Sequence, residues 1–288
     1  MKYLYYPGCS LEGTSVEYNI STKVLMEAVD AQLEEIEDWN CCGATAAESS
    51  SHLLSYVLPA RNLALAEKMN DSKQILVPCS ACYLNLKKTE VAIKKDKNFL
   101  GKINTVLAEE DLVLKGDIIV RHLLDVLSND IDIEIIKENS QNKMSGLTIA
   151  PYYGCQCLRP FSVFDDPEDP HSMDGLIKAT GADLLEWDMG AQCCGASNTT
   201  TKPEAGMELV GRILKAAQGA DAILTVCPMC QMNLESSQKK ISHKQGIELD
   251  IPVLFLPQFL GLAMGKIPKD VGLDLNLSNT GPLMKKAI

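Results

Sequence analysis

A twelve-residue stretch that occurs twice in the chain decides the fold. It reads Ile75-Leu-Val-Pro-Cys79-Ser-Ala-Cys82-Tyr-Leu-Asn85-Leu86 in the first half and Ile223-Leu-Thr-Val-Cys227-Pro-Met-Cys230-Gln-Met-Asn233-Leu234 in the second. In each copy a short apolar run, typical of a buried strand, leads directly to a Cys-x-x-Cys pair. Recurrence of the whole pattern indicates an internal duplication of the chain.

The remaining cysteines repeat in the same order. A single cysteine follows two tyrosines and a glycine in each half, at Cys9 and at Cys155, and a Cys-Cys-Gly-Ala turn comes next. Each half therefore carries five matching cysteines. The eleventh, Cys157, has no counterpart, and we interpret it as a small buried thiol. The first cysteine set is Cys9, Cys41, Cys42, Cys79 and Cys82, and the second cysteine set is Cys155, Cys193, Cys194, Cys227 and Cys230.

The hydrophobic pattern predicts strands alternating with helices. Strands are expected at 2–6, 74–77, 148–151 and 222–226, with weaker candidates at 33–38 and 183–187. A helix is expected at 203–218, with a capping box formed by Thr201 and Glu204. We therefore expect an α/β fold with two pseudo-symmetric βαβ-type lobes, each with a small, mostly parallel sheet and cysteines at its strand ends.

The duplication also predicts the domain boundaries. The first lobe should span 1–128, a polar linker 129–146, and the second lobe 147–288. Each lobe then has an ordinary domain size.

Composition excludes several classes of protein. With 27 basic and 38 acidic residues the net charge is −11, which argues against binding a phosphate backbone. The longest mostly apolar run, 251–265, is interrupted by two prolines and is shorter than the roughly 20 residues of a spanning helix. The first residues do not resemble a signal peptide, so we expect a cytoplasmic protein with no membrane span.

Three interpretations of the cysteine sets remain open on the residues alone. Disulfides require an oxidising compartment and do not account for a vicinal pair beside a Cys-x-x-Cys pair. Structural zinc takes four ligands, usually as two closely spaced pairs. An iron–sulfur cluster suits soft thiolates, but an ordinary cubane takes four cysteines, which leaves the fifth unexplained.

The order Cys, Cys-Cys-Gly, Cys-x-x-Cys, present twice, resembles the paired cysteine-rich CCG domains of heterodisulfide reductase B subunits from methanogenic archaea. The resemblance extends to the opening Tyr-Tyr-Pro-Gly-Cys9 and to the stretch 151–160, and it covers essentially the whole chain. It implies one noncubane [4Fe-4S] cluster per lobe, each held by one of the two five-cysteine sets. That assignment gives the fifth cysteine of each half a role.

The resemblance also implies an activity and partners. B subunits of this family reductively cleave the mixed disulfide of coenzyme M and coenzyme B, and two clusters could each supply one electron. Electrons would arrive from the heterodisulfide reductase C subunit, a small [4Fe-4S] protein, and through it from the flavin-containing A subunit. The chain itself has no dinucleotide or nucleotide phosphate-binding motif.

An anionic disulfide needs positive charge in the cleft that binds it. Arg159 and Lys202 follow second-set cysteines at short range, and His52 follows the first Cys-Cys-Gly turn, where it could donate a proton to a leaving thiolate.

An alternative function keeps the domains and changes the substrate. The same domain pair resembles the iron–sulfur electron-transfer subunits of glycolate, lactate, glycerol-3-phosphate and succinate oxidoreductases, which are linked to a quinone or a thiol. A third possibility is a zinc-bound scaffold that docks partners.

Overall fold

The computed structural model describes residues 1–44, 46–69 and 72–287. Strands and helices alternate along this part of the chain. The strands are β1 (Lys2–Tyr5), β2 (Gln32–Glu35), β3 (Gln74–Val77), β4 (Ile119–His122), β5 (Thr148–Tyr152), β6 (Asp183–Leu184), β7 (Ala222–Thr225) and β8 (Val253–Phe255). The α-helices are α1 (Cys9–Glu12), α2 (Val16–Ala28), α3 (Ala47–Ser50), α4 (Leu54–Met69), α5 (Ser80–Lys95), α6 (Lys97–Leu107), α7 (Leu123–Asn129), α8 (Ile133–Ser140), α9 (Asp174–Lys178), α10 (Pro203–Ala216), α11 (Pro228–Gln245), α12 (Leu256–Ala263) and α13 (Gly281–Lys286). Short 3-10 helices lie at Ala108–Glu110, Ala196–Asn198 and Leu273–Leu275.

Each lobe contains one four-stranded parallel sheet. The strand order is β2-β1-β3-β4 in the first lobe and β6-β5-β7-β8 in the second, so the two sheets have the same topology. Neighbouring strands run parallel in both sheets. The predicted α/β class with two pseudo-symmetric lobes is confirmed. Because all strands of a sheet point the same way, the segments that follow them meet at one edge.

All six predicted strands are present, with small differences at their ends. The last strand of each sheet, β4 or β8, was not expected from the sequence. Strand β4 contains Arg121, a charged residue that interrupts the apolar run by which a buried strand is predicted. In the fold its guanidinium forms ion pairs with Asp125 and Asp130. A charge at this position is tolerated because tertiary partners neutralise it.

Helix α10 lies close to its predicted position, but its predicted cap is wrong. Lys202 occupies the N-cap position, and no described side chain forms a capping hydrogen bond there. Pro203 takes the first helical position, where a backbone N–H would have no carbonyl partner within the helix. The missing N–H of proline therefore costs no helical hydrogen bond. The helix therefore begins without the Thr201 and Glu204 capping box.

The stretch predicted as a linker, 129–146, holds helix α8. Asp132 caps this helix by accepting a hydrogen bond from the backbone N–H of Glu134. Ile136 is fully buried, and the Ser140 hydroxyl donates to the carbonyl of Ala179 at 3.0 Å. The stretch thus packs against the second lobe, and the proposed division at 128 and 147 stays a prediction.

The largest hydrophobic core crosses from one lobe to the other. The ring of Tyr18 in α2 stacks on the ring of Phe255 in β8, with centroids 3.9 Å apart and planes 3° from parallel. Helices α2 and α12 pack against each other at this point. A smaller core lies inside the second lobe and contains Ile213, Leu214 and Leu234. Because the main core is shared, the two lobes hold their strand edges against each other.

Candidate functional site

The cysteines lie where the sheets place them, at the carboxyl ends of the strands. In the first lobe Cys9 opens α1 after β1, and Cys79 is the N-cap of α5 after β3. In the second lobe Cys227 is the N-cap of α11 after β7. The vicinal pairs follow β2 and β6. Backbone N–H groups at a helix N-terminus favour a nearby anion, so these positions suit thiolates.

Each set brings its sulfur atoms together without a disulfide. In the first lobe the Sγ atoms of Cys9 and Cys41 are 3.7 Å apart, and those of Cys42 and Cys82 are 3.3 Å apart. All eleven cysteines are free thiols in the structure. No three described His, Cys, Asp or Glu side chains close around a point suited to a single metal ion. Five cysteines in each set exceed the four ligands of one tetrahedral zinc, and soft thiolates suit a cluster of several irons.

Crowding of the thiols shifts their acidity. The hydrogen bond from Cys41 lowers the pKa of Cys42 to about 3, and the same contact raises the pKa of Cys41. In the second lobe the hydrogen bond from Cys155 lowers the pKa of Cys193 to about 6, while that of Cys155 is raised. Once one cysteine of a pair is a thiolate, deprotonation of its partner is therefore less favourable. Iron would remove this repulsion, because metal binding requires deprotonated cysteines and supplies positive charge.

Two glycines let the backbone approach these sulfur atoms closely. Gly8 and Gly154 have φ angles of 74° and 71°, in the left-handed region that favours glycine. A Cβ atom on Gly8 would lie 2.8 Å from the Sγ of Cys82, and one on Gly154 would lie 3.0 Å from the Sγ of Cys230. The turn after β1, and the equivalent turn after β5, thus packs directly against a sulfur atom of its cysteine set.

Two tyrosines support the vicinal pairs in the same way in both lobes. The hydroxyl of Tyr6 donates to the carbonyl of Asn40 at 2.8 Å, and that of Tyr152 donates to the carbonyl of Gln192 at 2.8 Å. Each accepting residue immediately precedes a Cys-Cys pair. These tyrosines had no expected role on the sequence alone. Their repetition three residues before Cys9 and Cys155 was the available signal.

The two Cys-x-x-Cys loops lie back to back across the lobe interface. The Tyr18 hydroxyl lies 3.1 Å from the carbonyl oxygen of Pro78 and 3.2 Å from that of Val226, the residues that precede Cys79 and Cys227. Ser80 donates a second hydrogen bond to the Val226 carbonyl at 3.0 Å. The backbone next to each cysteine set therefore takes part in the same buried group of hydrogen bonds.

A cavity of about 270 Å³ lies between the lobes, and we call it the interlobe cavity. All five cysteines of the second set line it, and none of the first set does. Among its described lining residues, Glu48 is the one with a carboxylate, ammonium, guanidinium or imidazole group. The first lobe contributes Ala44, Glu48, Ala81, Leu84 and Asn85, and the second lobe adds Tyr153, Gln156, Ala196, Ser197 and Met229 to the five cysteines.

The structure does not place His52, Arg159 or Lys202 among the residues that line the interlobe cavity. His52 is exposed, and its ring packs near that of Tyr56. Lys202 is exposed at the start of α10. Arg159 forms an ion pair with Glu168 at 2.8 Å, and its charge contributes to the lowered pKa of Cys193. A substrate role for the three stays a prediction.

Cys157 is buried beside the second set. Its Sγ donates to the carbonyl of Tyr153 at 3.3 Å, and burial raises its pKa to about 12. A hydrogen-bonded neutral thiol agrees with the predicted packing role.

Comparison with known proteins identifies the domains. The cysteine-rich CCG domain matches residues 3–87 and 149–235. The chain is 33% identical to the 8-methylmenaquinol:fumarate reductase membrane anchor subunit of Wolinella succinogenes, over 96% of both chains. It is 27% identical to the B subunit of the ferredoxin/F420H2-dependent CoB-CoM heterodisulfide reductase of Methanosarcina acetivorans, over 94% of this chain and 92% of the relative. A protein of Archaeoglobus profundus that is named as similar to the heterodisulfide reductase B subunit is 28% identical over 94% and 93%.

A solved structure has the same fold. A hypothetical protein from Helicobacter pylori superposes with a TM-score of 0.75 and 17% identity. The match covers 96% of this chain, which spans about half, 52%, of the Helicobacter chain. No helix in the described residues is both long and apolar enough to cross a membrane.

The relatives confirm the predicted resemblance to heterodisulfide reductase B subunits. They also support iron–sulfur clusters as the cofactor and a multi-subunit complex as the setting. The thiol sets at equivalent strand ends fit that cofactor. With both CCG domains matched over more than half of its length, the chain belongs to the cysteine-rich CCG domain family and is an iron–sulfur subunit of a redox complex.

Proposed function

We propose that this chain is the electron-transferring iron–sulfur subunit of a quinone-linked oxidoreductase of the succinate or fumarate type. One noncubane [4Fe-4S] cluster would be held by each five-cysteine set. The 33% identity to a subunit named for 8-methylmenaquinol:fumarate reductase supports this proposal. The single observation that carries it is the character of the interlobe cavity, which suits a neutral molecule.

The cavity wall offers little to an anion. The mixed disulfide of coenzyme M and coenzyme B carries sulfonate, phosphate and carboxylate groups, which require cationic partners. Glu48 is the one residue of the described lining with a carboxylate, ammonium, guanidinium or imidazole group, and Lys88, which pairs with it at 3.8 Å, is not in that lining. Leu84 and Met229 add apolar surface. A neutral quinone ring needs no charged partner in such a cavity, whereas a polyanionic disulfide finds no cation to pair with among the described lining residues.

The chain's own residues have separable tasks in this function. Bound clusters would pass electrons one at a time between the quinone and the partner subunits. The cysteine sets hold them, and Gly8 and Gly154 allow the backbone to close around the sulfur atoms. Tyr18 and Ser80 hold the two Cys-x-x-Cys loops in contact. The second set lines the interlobe cavity, so the cluster that it holds would take up part of that space and would be next to a molecule bound in the rest.

The test uses the complex purified without oxygen with its native partner subunits. This chain should contribute about eight irons, from two clusters of four, with matching sulfide and negligible zinc. Reduced menadione, a menaquinol analogue, should reduce its clusters, and fumarate should reoxidise them through the complex. Release of thiols from the coenzyme M–coenzyme B disulfide with reduced viologen, without any reaction with the quinol, would overturn the proposal.

Reductive cleavage of that disulfide is the second candidate. The observation that favours it is that all five second-set cysteines line one cavity between the lobes, so that iron held by them would be next to a bound disulfide and could take up a released thiolate. Relatives named as heterodisulfide reductase B subunits, at 27–28% identity, also support it. Its partners would be the C and A subunits of that enzyme. The same viologen assay decides between the two, because only this candidate predicts release of coenzyme M and coenzyme B as thiols.

A further inference from the structure

Two asparagines occupy equivalent places beside the vicinal cysteines. Asn85 and Asn233 lie three residues after Cys82 and Cys230, in the second turns of α5 and α11. The side-chain Nδ2 of Asn85 lies 3.4 Å from the carbonyl oxygen of Cys42 and 3.7 Å from its Sγ. In the second lobe the Nδ2 of Asn233 lies 3.1 Å from the Cys194 carbonyl oxygen and 3.7 Å from the Cys194 Sγ.

The partners of each amide fix its orientation. A carbonyl oxygen and a deprotonated sulfur are both acceptors, so the NH2 group must face them. The opposite orientation would aim Oδ1 at two electron-rich atoms. An NH2 group has two hydrogens, which matches the two acceptors that each cysteine presents. Each asparagine can therefore hold both the backbone and the sulfur of the second cysteine in a pair.

We propose that Asn85 and Asn233 are positioning residues that each donate an N–H···S hydrogen bond to one cluster ligand, Cys42 or Cys194, and thereby raise the reduction potential of the cluster in their lobe. This proposal rests on the clusters of the proposed function. A donor to a ligating sulfur stabilises negative charge there, and the charge increases when the cluster gains an electron. The reduced state is therefore stabilised more than the oxidised state.

The two asparagines differ in what else they face. Asn85 is half-buried and lines the interlobe cavity beside the second cysteine set. Asn233 is 8% exposed and does not appear in the lining of that cavity. A molecule in the cavity can compete for the Asn85 amide but not for that of Asn233. Occupancy of the cavity should therefore shift the potential of the first-lobe cluster through Asn85, although most of the cavity wall belongs to the second lobe.

The test is a redox titration of the anaerobically purified complex, followed by electron paramagnetic resonance. Asn85→Leu and Asn233→Leu remove the donor and keep the same number and branching of side-chain heavy atoms. Each variant should make reduction of one cluster about tenfold less favourable, which is a fall of about 59 mV in its one-electron reduction potential. The potential of the other cluster should not change. Adding menadiol should shift the Asn85-dependent signal in the wild type and not in Asn85→Leu.

Asn104→Leu is the matched control. Asn104 also lies in a first-lobe helix and exchanges two hydrogen bonds with the backbone of Leu114, so its loss costs stability without touching a cysteine ligand. The proposal is overturned if the Asn85→Leu and Asn233→Leu variants keep full iron and neither potential moves, or if Asn104→Leu moves a potential equally. If a leucine variant loses iron, Asn85→Gln and Asn233→Gln, which restore a donor, must recover both iron and potential. Zinc in the wild-type protein would instead defeat the proposed function.

Discussion

The two lobes have the same sheet and the same thiols but face the interlobe cavity differently. The second lobe presents the five cysteines of its set to that cavity, whereas the first lobe presents small and apolar residues, Glu48 and Asn85. Their connections differ as well, because the 13-residue helix α2 of the first lobe corresponds to loops and the five-residue helix α9 in the second. Duplication therefore produced two equivalent cradles, and packing between the lobes made them inequivalent to an incoming molecule.

Loss of a ligand should give the largest effect and should be confined to one lobe. Cys42→Ser should remove the first-lobe cluster, and Cys194→Ser the second, so that about four of about eight irons remain in each variant. A serine oxygen is a poor substitute for a soft thiolate ligand. Iron and acid-labile sulfide analysis measures the effect.

Cys155 and Cys157 give a matched pair for the second lobe. Cys155→Ser should deplete the second cluster, whereas Cys157→Ser should keep all the iron and cost about 1 kcal/mol of stability, as expected for one buried thiol with a weak hydrogen bond. Loss of iron in Cys157→Ser but not in Cys155→Ser would show that Cys157, and not Cys155, corresponds to Cys9.

Acid should destabilise the first lobe through a residue that the second lobe lacks. His122 caps α7, while Phe255 takes the equivalent place before α12. Burial lowers the pKa of His122 from 6.5 to about 3. The unfolded chain therefore binds the proton first, so the stability is present above about pH 6.5 and is lost as the pH falls toward 3, by at most about 1.4 kcal/mol per pH unit.

His122→Asn is the control for this pH dependence. Asparagine keeps a capping acceptor for the Leu124 N–H but does not titrate. Urea unfolding of the loaded complex at several pH values should give a shallower loss between pH 6.5 and 5 in the variant. Identical slopes in the two proteins would exclude protonation of His122 as the cause.

Removal of the hydroxyl at the lobe interface should have a moderate effect. Tyr18→Phe keeps the ring stacked on Phe255 but leaves the carbonyls of Pro78 and Val226 without this donor. A cost of about 1–3 kcal/mol is expected, measured by urea unfolding. Tyr83→Phe is the control, because the buried Tyr83 hydroxyl has no hydrogen-bond partner in the described structure and its removal should be neutral or stabilising. Equal costs for the two variants would contradict a bridging role for Tyr18.

The smallest effect is expected at Arg159. Its partner Glu168 is largely exposed, so Arg159→Gln should change stability by less than about 1 kcal/mol. Under the quinone-linked function, menadiol should still reduce both clusters, because Arg159 acts on the ligand Cys193 only through its charge. A fall of one to two powers of ten in affinity for the coenzyme M–coenzyme B disulfide, at unchanged iron content, would instead support the predicted substrate role of Arg159 and the second candidate function.

The sequence alone determined the duplication, the fold class and the position of the cysteines at strand ends. These follow from local signals, since an apolar run of four or five residues and the cysteine that ends it are neighbours in the chain. The same signals failed where a tertiary contact replaced a local one. Arg121 is acceptable in β4 because Asp130 lies near it, and α10 begins without the capping box that its sequence suggested.

Only the tertiary structure decided which thiols face the interlobe cavity and which residues join the lobes. Tyr18 meets the carbonyl of Val226 across 208 residues of sequence, and Asn85 meets Cys42 across 43. Residue type and spacing within one element carry no information about such contacts. They depend on how two sheets of identical topology pack against each other, and that packing is set by side chains such as Phe255 whose partners lie in the other lobe.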